Sequence, residues 1–216
     1  MQEEVRRSAR LMDLGMDRLT NLLLEMGQLS QQTVESAMDA YEKGTSSEEV
    51  ERWSQKLRQL DDQVSDICIE LIARFQPVAS DLRYIKASLE VSHGFYRYGR
   101  YAHDIVEVLN TFGDLTTCDH EAIDAAAQKT EEMIRLSVEA FAKKDVELAR
   151  RITNLDDYVD DAYRNYIKSL MKARKVNLRC ALSQTLILRY LERIADHAVY
   201  IGRSVFFIVK GEEPQS

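Results

Sequence analysis

The chain has 216 residues, 45% of them hydrophobic and 30% charged, with only eight glycines and two prolines. Such a length buries a substantial core, and so few breakers exclude all-β, collagen-like, disulfide-rich and disordered proteins. The formal charge is −7, and the basic clusters (Arg6-Arg7 and Lys172-Ala173-Arg174-Lys175) are short and lie near helix ends, which argues against nucleic-acid binding.

Helical periodicity covers nearly the whole chain. Residues 3–43 read as one long helix, with an apolar stripe of Leu11, Met12, Leu14, Leu19, Leu22, Leu23, Met26, Leu29, Val34, Met38 and Tyr41. The Gly44-Thr45-Ser46-Ser47 break ends it, and Ser46 or Ser47 caps a second helix that stops at Phe75, before Pro77. A third helix spans about 79–111 and ends at Gly113, a residue suited to a C-cap. A fourth follows Asp119 to about Lys143, a fifth covers 145–172 and a sixth 177–209.

The two halves of the chain match each other. LDDQVSDI at 60–67 aligns with LDDYVDDA at 155–162 at an offset of 95, while Leu82-Arg83 aligns with Leu178-Arg179 at 96. FYRYGRYAHDI at 95–105 lies opposite LERIADHAVYI at 191–201, also at 96. The expected fold is all-α, two tandem three-helix bundles produced by internal duplication. The expected boundaries are 1–112 for the first repeat, 113–210 for the second and 211–216 for a C-terminal tail.

Three cysteines, Cys68, Cys118 and Cys180, are an odd number without CxxC spacing, so neither a zinc knuckle nor a disulfide framework is expected. Free thiols suit a reducing cytoplasm. No signal-peptide core or bilayer-length apolar run is present in the sequence. A cytoplasmic protein with no direct membrane insertion is expected.

Asp156 and Asp160 share one face of the fifth helix, and Glu192 and Asp196 share one face of the sixth. Like charges at i, i+4 repel by about 0.2–0.5 kcal/mol per pair. A cation placed among them removes that cost, and hard oxygen ligands suit magnesium, calcium, manganese or iron. The same residues also permit plain ion pairs, Arg189 with Glu192 and Arg193 with Asp196, each three apart. Glu90 and His93 have the ExxH spacing of di-iron bundles, but the sixth helix carries no second copy. His103, His120 and His197 lack a histidine partner at ligand spacing and read as structural or surface groups. Nucleotide-binding and hydrolase motifs are absent from the sequence.

The segment LERIADHAVYIGRSV at 191–205 resembles the LERIxDHAxNIA pattern of the PhoU family, the accessory and regulatory proteins of phosphate transport. PVASDLRYIKASLEVS at 77–92 resembles that family's PxAxDLRxIxxxL, and LDDYVDD at 155–161 its acidic segment. The resemblance implies two three-helix bundles and a metal cluster held by paired (Glu/Asp)xxxAsp motifs. In this chain the matching residues are Asp156, Asp160, Glu192 and Asp196. The metal would be divalent or trivalent: iron, zinc, magnesium, manganese or calcium. In the first half the 95-residue offset sets Ser65 against Asp160, and the 96-residue offset sets Tyr96 against Glu192 and Arg100 against Asp196. Only Asp61 remains there, so a single metal site is expected.

The resemblance further implies a non-enzymatic cytoplasmic homodimer that restrains phosphate uptake or starvation signalling. It would act by contact with a phosphate ABC transporter ATPase, another phosphate transporter or a sensor histidine kinase. Two other classes fit the residues alone: a metal-dependent carboxylate-bundle enzyme (oxidase or hydrolase), and a metal-free helical adaptor.

Overall fold

The computed structural model describes residues 2–212, so the end of the expected tail, including Pro214, lies outside the described residues. Six helices follow one another: α1 (Gln2–Lys43), α2 (Glu48–Phe75), α3 (Ala79–Phe112), α4 (Glu121–Lys143), α5 (Val146–Lys172) and α6 (Leu178–Lys210). Their ends agree with the sequence-based limits to within about a turn. The termini are set by local chemistry. Gly113, at φ 71°, returns its N–H to the Leu109 carbonyl at 2.8 Å, and Gly211, at φ 81°, closes α6 on Phe207. Asp145 accepts from the N–H groups of Glu147 and Leu148 and caps α5. Ser47 occupies the N-cap of α2 but makes no side-chain cap bond; its hydroxyl faces Ser36 Oγ at 3.4 Å.

Helices α1–α3 and α4–α6 each pack as a bundle, and α3 lies against α6 to join them. The pairing is antiparallel: Lys86 sits over the Phe207 ring, Gly94 faces Ile201, and Tyr101 stacks near Tyr190. This central position explains why α3 and α6 bury residues on more than one face. A single cluster of buried apolar residues runs through both bundles. Tyr98 on α3, fully buried, shares a 3.0 Å hydrogen bond with Ser137 on α4.

Two expectations are corrected. Cys118, in the segment between α3 and α4, is disulfide-bonded to Cys180 in the first turn of α6, with Cα atoms 5.7 Å apart. Only Cys68 is a free thiol, and it is buried. The pairing joins residues 62 apart, a closeness that spacing along the chain does not reveal. The thiol argument for a reducing compartment therefore falls away.

The second correction concerns the register of the repeat. Between α2 and α3, Ser54 and Leu57 crowd Gly99, and Asp61 accepts from the Ser92 hydroxyl at 2.6 Å. Between α5 and α6, Ala149 and Ile152 crowd Gly202. The buried positions of α3 map well onto those of α6 at the 96-residue offset. With that mapping, α5 is displaced along α6 by about one heptad from where the 95-residue match would put it. Side chains one heptad apart share a helix face, so the sequence pattern is blind to this shift. The spatial counterparts of Asp156 and Asp160 are Ser54 and Arg58, not Asp61 and Ser65.

Candidate metal centre

Asp156 and Asp160 project from the middle of α5, and Glu192 and Asp196 from the facing part of α6. All four side chains are partly buried, with Glu192 only 13% exposed. Their charges are felt mutually. Burial first, then Asp160, Asp196 and Asp157, push the Asp156 carboxyl up to about 6, against a partial counter-effect from Arg203. Burial also raises Glu192 and Asp196, Asp160 adding to the upward shift in both and Arg189 opposing it.

Three of the four are held by arginines. Arg164 donates to Asp160 at 2.6 Å and Arg193 to Asp196 at 2.9 Å, while Arg189 donates to both oxygens of Glu192. Both i, i+3 ion pairs that the spacing permitted are formed. Asp156 is the exception: its Oδ1 is buried and has no hydrogen-bond partner among the described residues. Among these residues no group of three or more His, Cys, Asp or Glu side chains is arranged to hold a metal ion. The four carboxylates thus share one neighbourhood, with arginines neutralising three and the fourth left unsatisfied. An orphaned carboxylate oxygen facing like charges is chemically suited to a hard cation, although the described side chains do not converge as a ligand set.

The remaining sequence candidates are dispersed. Glu90 lies on the rim of a groove with Lys86 and Arg203. His93 reaches Asp61 at 3.7 Å, and its ring lies 6.1 Å from that of His197 across the bundle seam. Pairing along one helix could not show that histidine contact. Burial, followed by Arg97 and His93, holds His197 down at about 4, a neutral ring at ordinary pH. His120 stacks on Tyr41. Arg164 and Arg203 were missed by sequence reasoning, although Arg164 stands one turn beyond Asp160 and so carried a readable signal.

The PhoU domain family model matches residues 23–109 and 123–205, one copy on each bundle. The chain belongs to the PhoU family. It is 29% identical over 208 residues to the phosphate-specific transport system accessory protein PhoU homolog 1 of Methanothermobacter thermautotrophicus, covering 91% of this chain and 94% of that protein. Its fold is similar to the crystal structure of PhoU from Pseudomonas aeruginosa, with a TM-score of 0.75 at 26% identity, covering 93% of this chain and 99% of that one. It also resembles the fold of the phosphate transport system regulatory protein PhoU from Streptococcus pneumoniae. There the TM-score is 0.82 at 22% identity, over 95% of this chain and 100% of the other. The paired domain matches and these PhoU structures agree with the tandem helical bundles expected from the internal repeat.

Proposed function

We propose that this PhoU protein regulates phosphate uptake and phosphate signalling by contact with a phosphate transporter, its ABC ATPase, or a sensor histidine kinase. In the same reading Asp156, Asp160, Glu192 and Asp196 hold a divalent or trivalent metal on the second bundle. The relatives' role as accessory proteins of phosphate-specific transport supports the first part. The second rests on one observation, the buried and unpartnered Oδ1 of Asp156 among three other carboxylates. When bound, the ion supplies positive charge that the arginines now deliver from outside. The residues' own task is to converge and exchange their arginine partners for it. A cation bridging α5 and α6 then stabilises the second bundle by RT ln(1 + [L]/Kd).

The contact surface has support at the α5–α6 corner, where Met171, Val176, Leu178 and Leu182 are exposed. Homodimerisation and a cytoplasmic location belong to the same proposal. Among the described residues no helix is long and apolar enough to cross a membrane. Elemental analysis of protein purified without chelator tests the metal. The wild type should carry it, and an Asp160→Ala, Asp196→Ala double variant should lose it; equal metal in both sinks the assignment. Co-purification with a phosphate transporter ATPase or sensor kinase tests the partner, and sedimentation tests the dimer. The arginine pairing of Asp160, Glu192 and Asp196 favours the metal-free adaptor as the second reading, which predicts metal-free protein with undiminished partner binding.

A further inference from the structure

Helices α2 and α3 line an open groove of about 250 Å³ at the place that the repeat relates to the carboxylate centre. Tyr96 and Arg100 stand there in the positions of Glu192 and Asp196, and Ser54 and Arg58 in those of Asp156 and Asp160. Each carboxylate of the second half is matched by a hydroxyl or a guanidinium in the first. The cation site has a counterpart with the opposite chemistry.

The groups facing this groove are poised to donate. Ser54 is only 7% exposed and lies on the lining of the groove. Arg58 has no carboxylate within ion-pair distance among the described residues, although it lines the groove. Arg100 uses Nη1 on Asp104 at 2.9 Å and on His103 Nδ1 at 3.1 Å, which leaves its other N–H groups unspent. An arginine can only donate, so His103 Nδ1 is the acceptor and the ring proton sits on Nε2, a further donor. The rim also carries the Glu51 carboxylate, which accepts from the neutral Gln55 amide at 3.2 Å and keeps its charge, so the two guanidinium groups must outweigh it.

We propose that this first-bundle pocket binds a small tetrahedral oxyanion, with inorganic phosphate as its probe. Two guanidinium groups, two hydroxyls and an imidazole N–H offer more donors than a halide can use. They suit an ion with four oxygens, for which arginine is well shaped. The groove is open to solvent, so phosphate bound there would keep part of its hydration shell. Gly99 lies against Leu57 and the Ser54 backbone, and this close approach of α2 and α3 places Ser54 at the floor. The inference does not depend on the carboxylate centre holding a metal.

Isothermal titration of inorganic phosphate into chelator-treated, phosphate-free protein provides the test. Saturable binding at one site per chain is expected. Arg58→Gln and Arg100→Gln should each weaken it by roughly tenfold, and Ser54→Ala by less, with circular dichroism showing each variant folded. Three results overturn the proposal: no saturation by about 10 mM phosphate, unchanged binding in folded Arg58→Gln, or binding that appears only once metal is restored. The last would place phosphate at the carboxylate centre instead.

Discussion

Asp156 carries the sharpest electrostatic tension in the molecule, a half-buried carboxylate facing like charges with an oxygen left unbonded. Replacing it by asparagine should act in opposite directions in two states. In metal-free protein the change removes repulsion and raises stability by about 0.2–0.5 kcal/mol. In the presence of metal it removes a ligand and lowers the metal-induced rise in melting temperature. Urea unfolding with and without chelator checks both signs, and the same sign in both states would make Asp156 a purely structural residue. A second group of residues governs alkaline behaviour. Burial pushes the Tyr41 hydroxyl and the Cys68 thiol up to about 12, from ordinary values of 10.0 and 9.0. Folding favours their neutral forms, so this stabilisation is complete below about pH 9 and is lost as pH climbs through 9–12. Unfolding free energy measured from pH 8 to 11 should fall, and Cys68→Ser should shift where the fall begins.

At the scale of helices, the disulfide between Cys118 and Cys180 ties the bundle linker to the start of α6. Closing a 62-residue separation stabilises by about 4 kcal/mol on chain-entropy grounds. Reduction or Cys118→Ser should therefore lower the melting temperature by several degrees, as calorimetry would show. Gly99→Ala drives a methyl into Leu57 and should cost about 1–3 kcal/mol by overpacking, whereas the counterpart on α6 is already Ala195. Helix limits were legible from the sequence because Gly44, Gly113 and Gly211 adopt the positive φ that glycine tolerates. The ion pairs of Glu192 and Asp196 were legible because they lie within one helix turn. What was hidden lies between helices. The heptad shift of α5, the facing of Arg58 to Arg100, and the approach of Cys118 to Cys180 all depend on three-dimensional register, which a repeating face does not record.

For the whole molecule, the uneven repeat predicts uneven chemistry. Metal should occupy the second bundle alone, so Asp160→Ala with Asp196→Ala should remove all bound metal. Residual ion after that double change, measured by elemental analysis, would reveal a site in the first bundle. The bundles should also unfold together, because one core and the Tyr98–Ser137 bond cross the seam. Tyr98→Phe should cost about 0.5–1.5 kcal/mol while leaving a single transition in urea. The antiparallel packing of α3 on α6 brings a further consequence. A duplicated molecule with two identical pockets looks the same after a half turn, so a partner can settle on it in two equivalent poses. Here the half turn exchanges Glu192 and Asp196, each paired with an arginine, for Tyr96 and Arg100. The two bundles therefore present different groups at related places, and a partner that reads the side chains of one has a single pose in which to meet them.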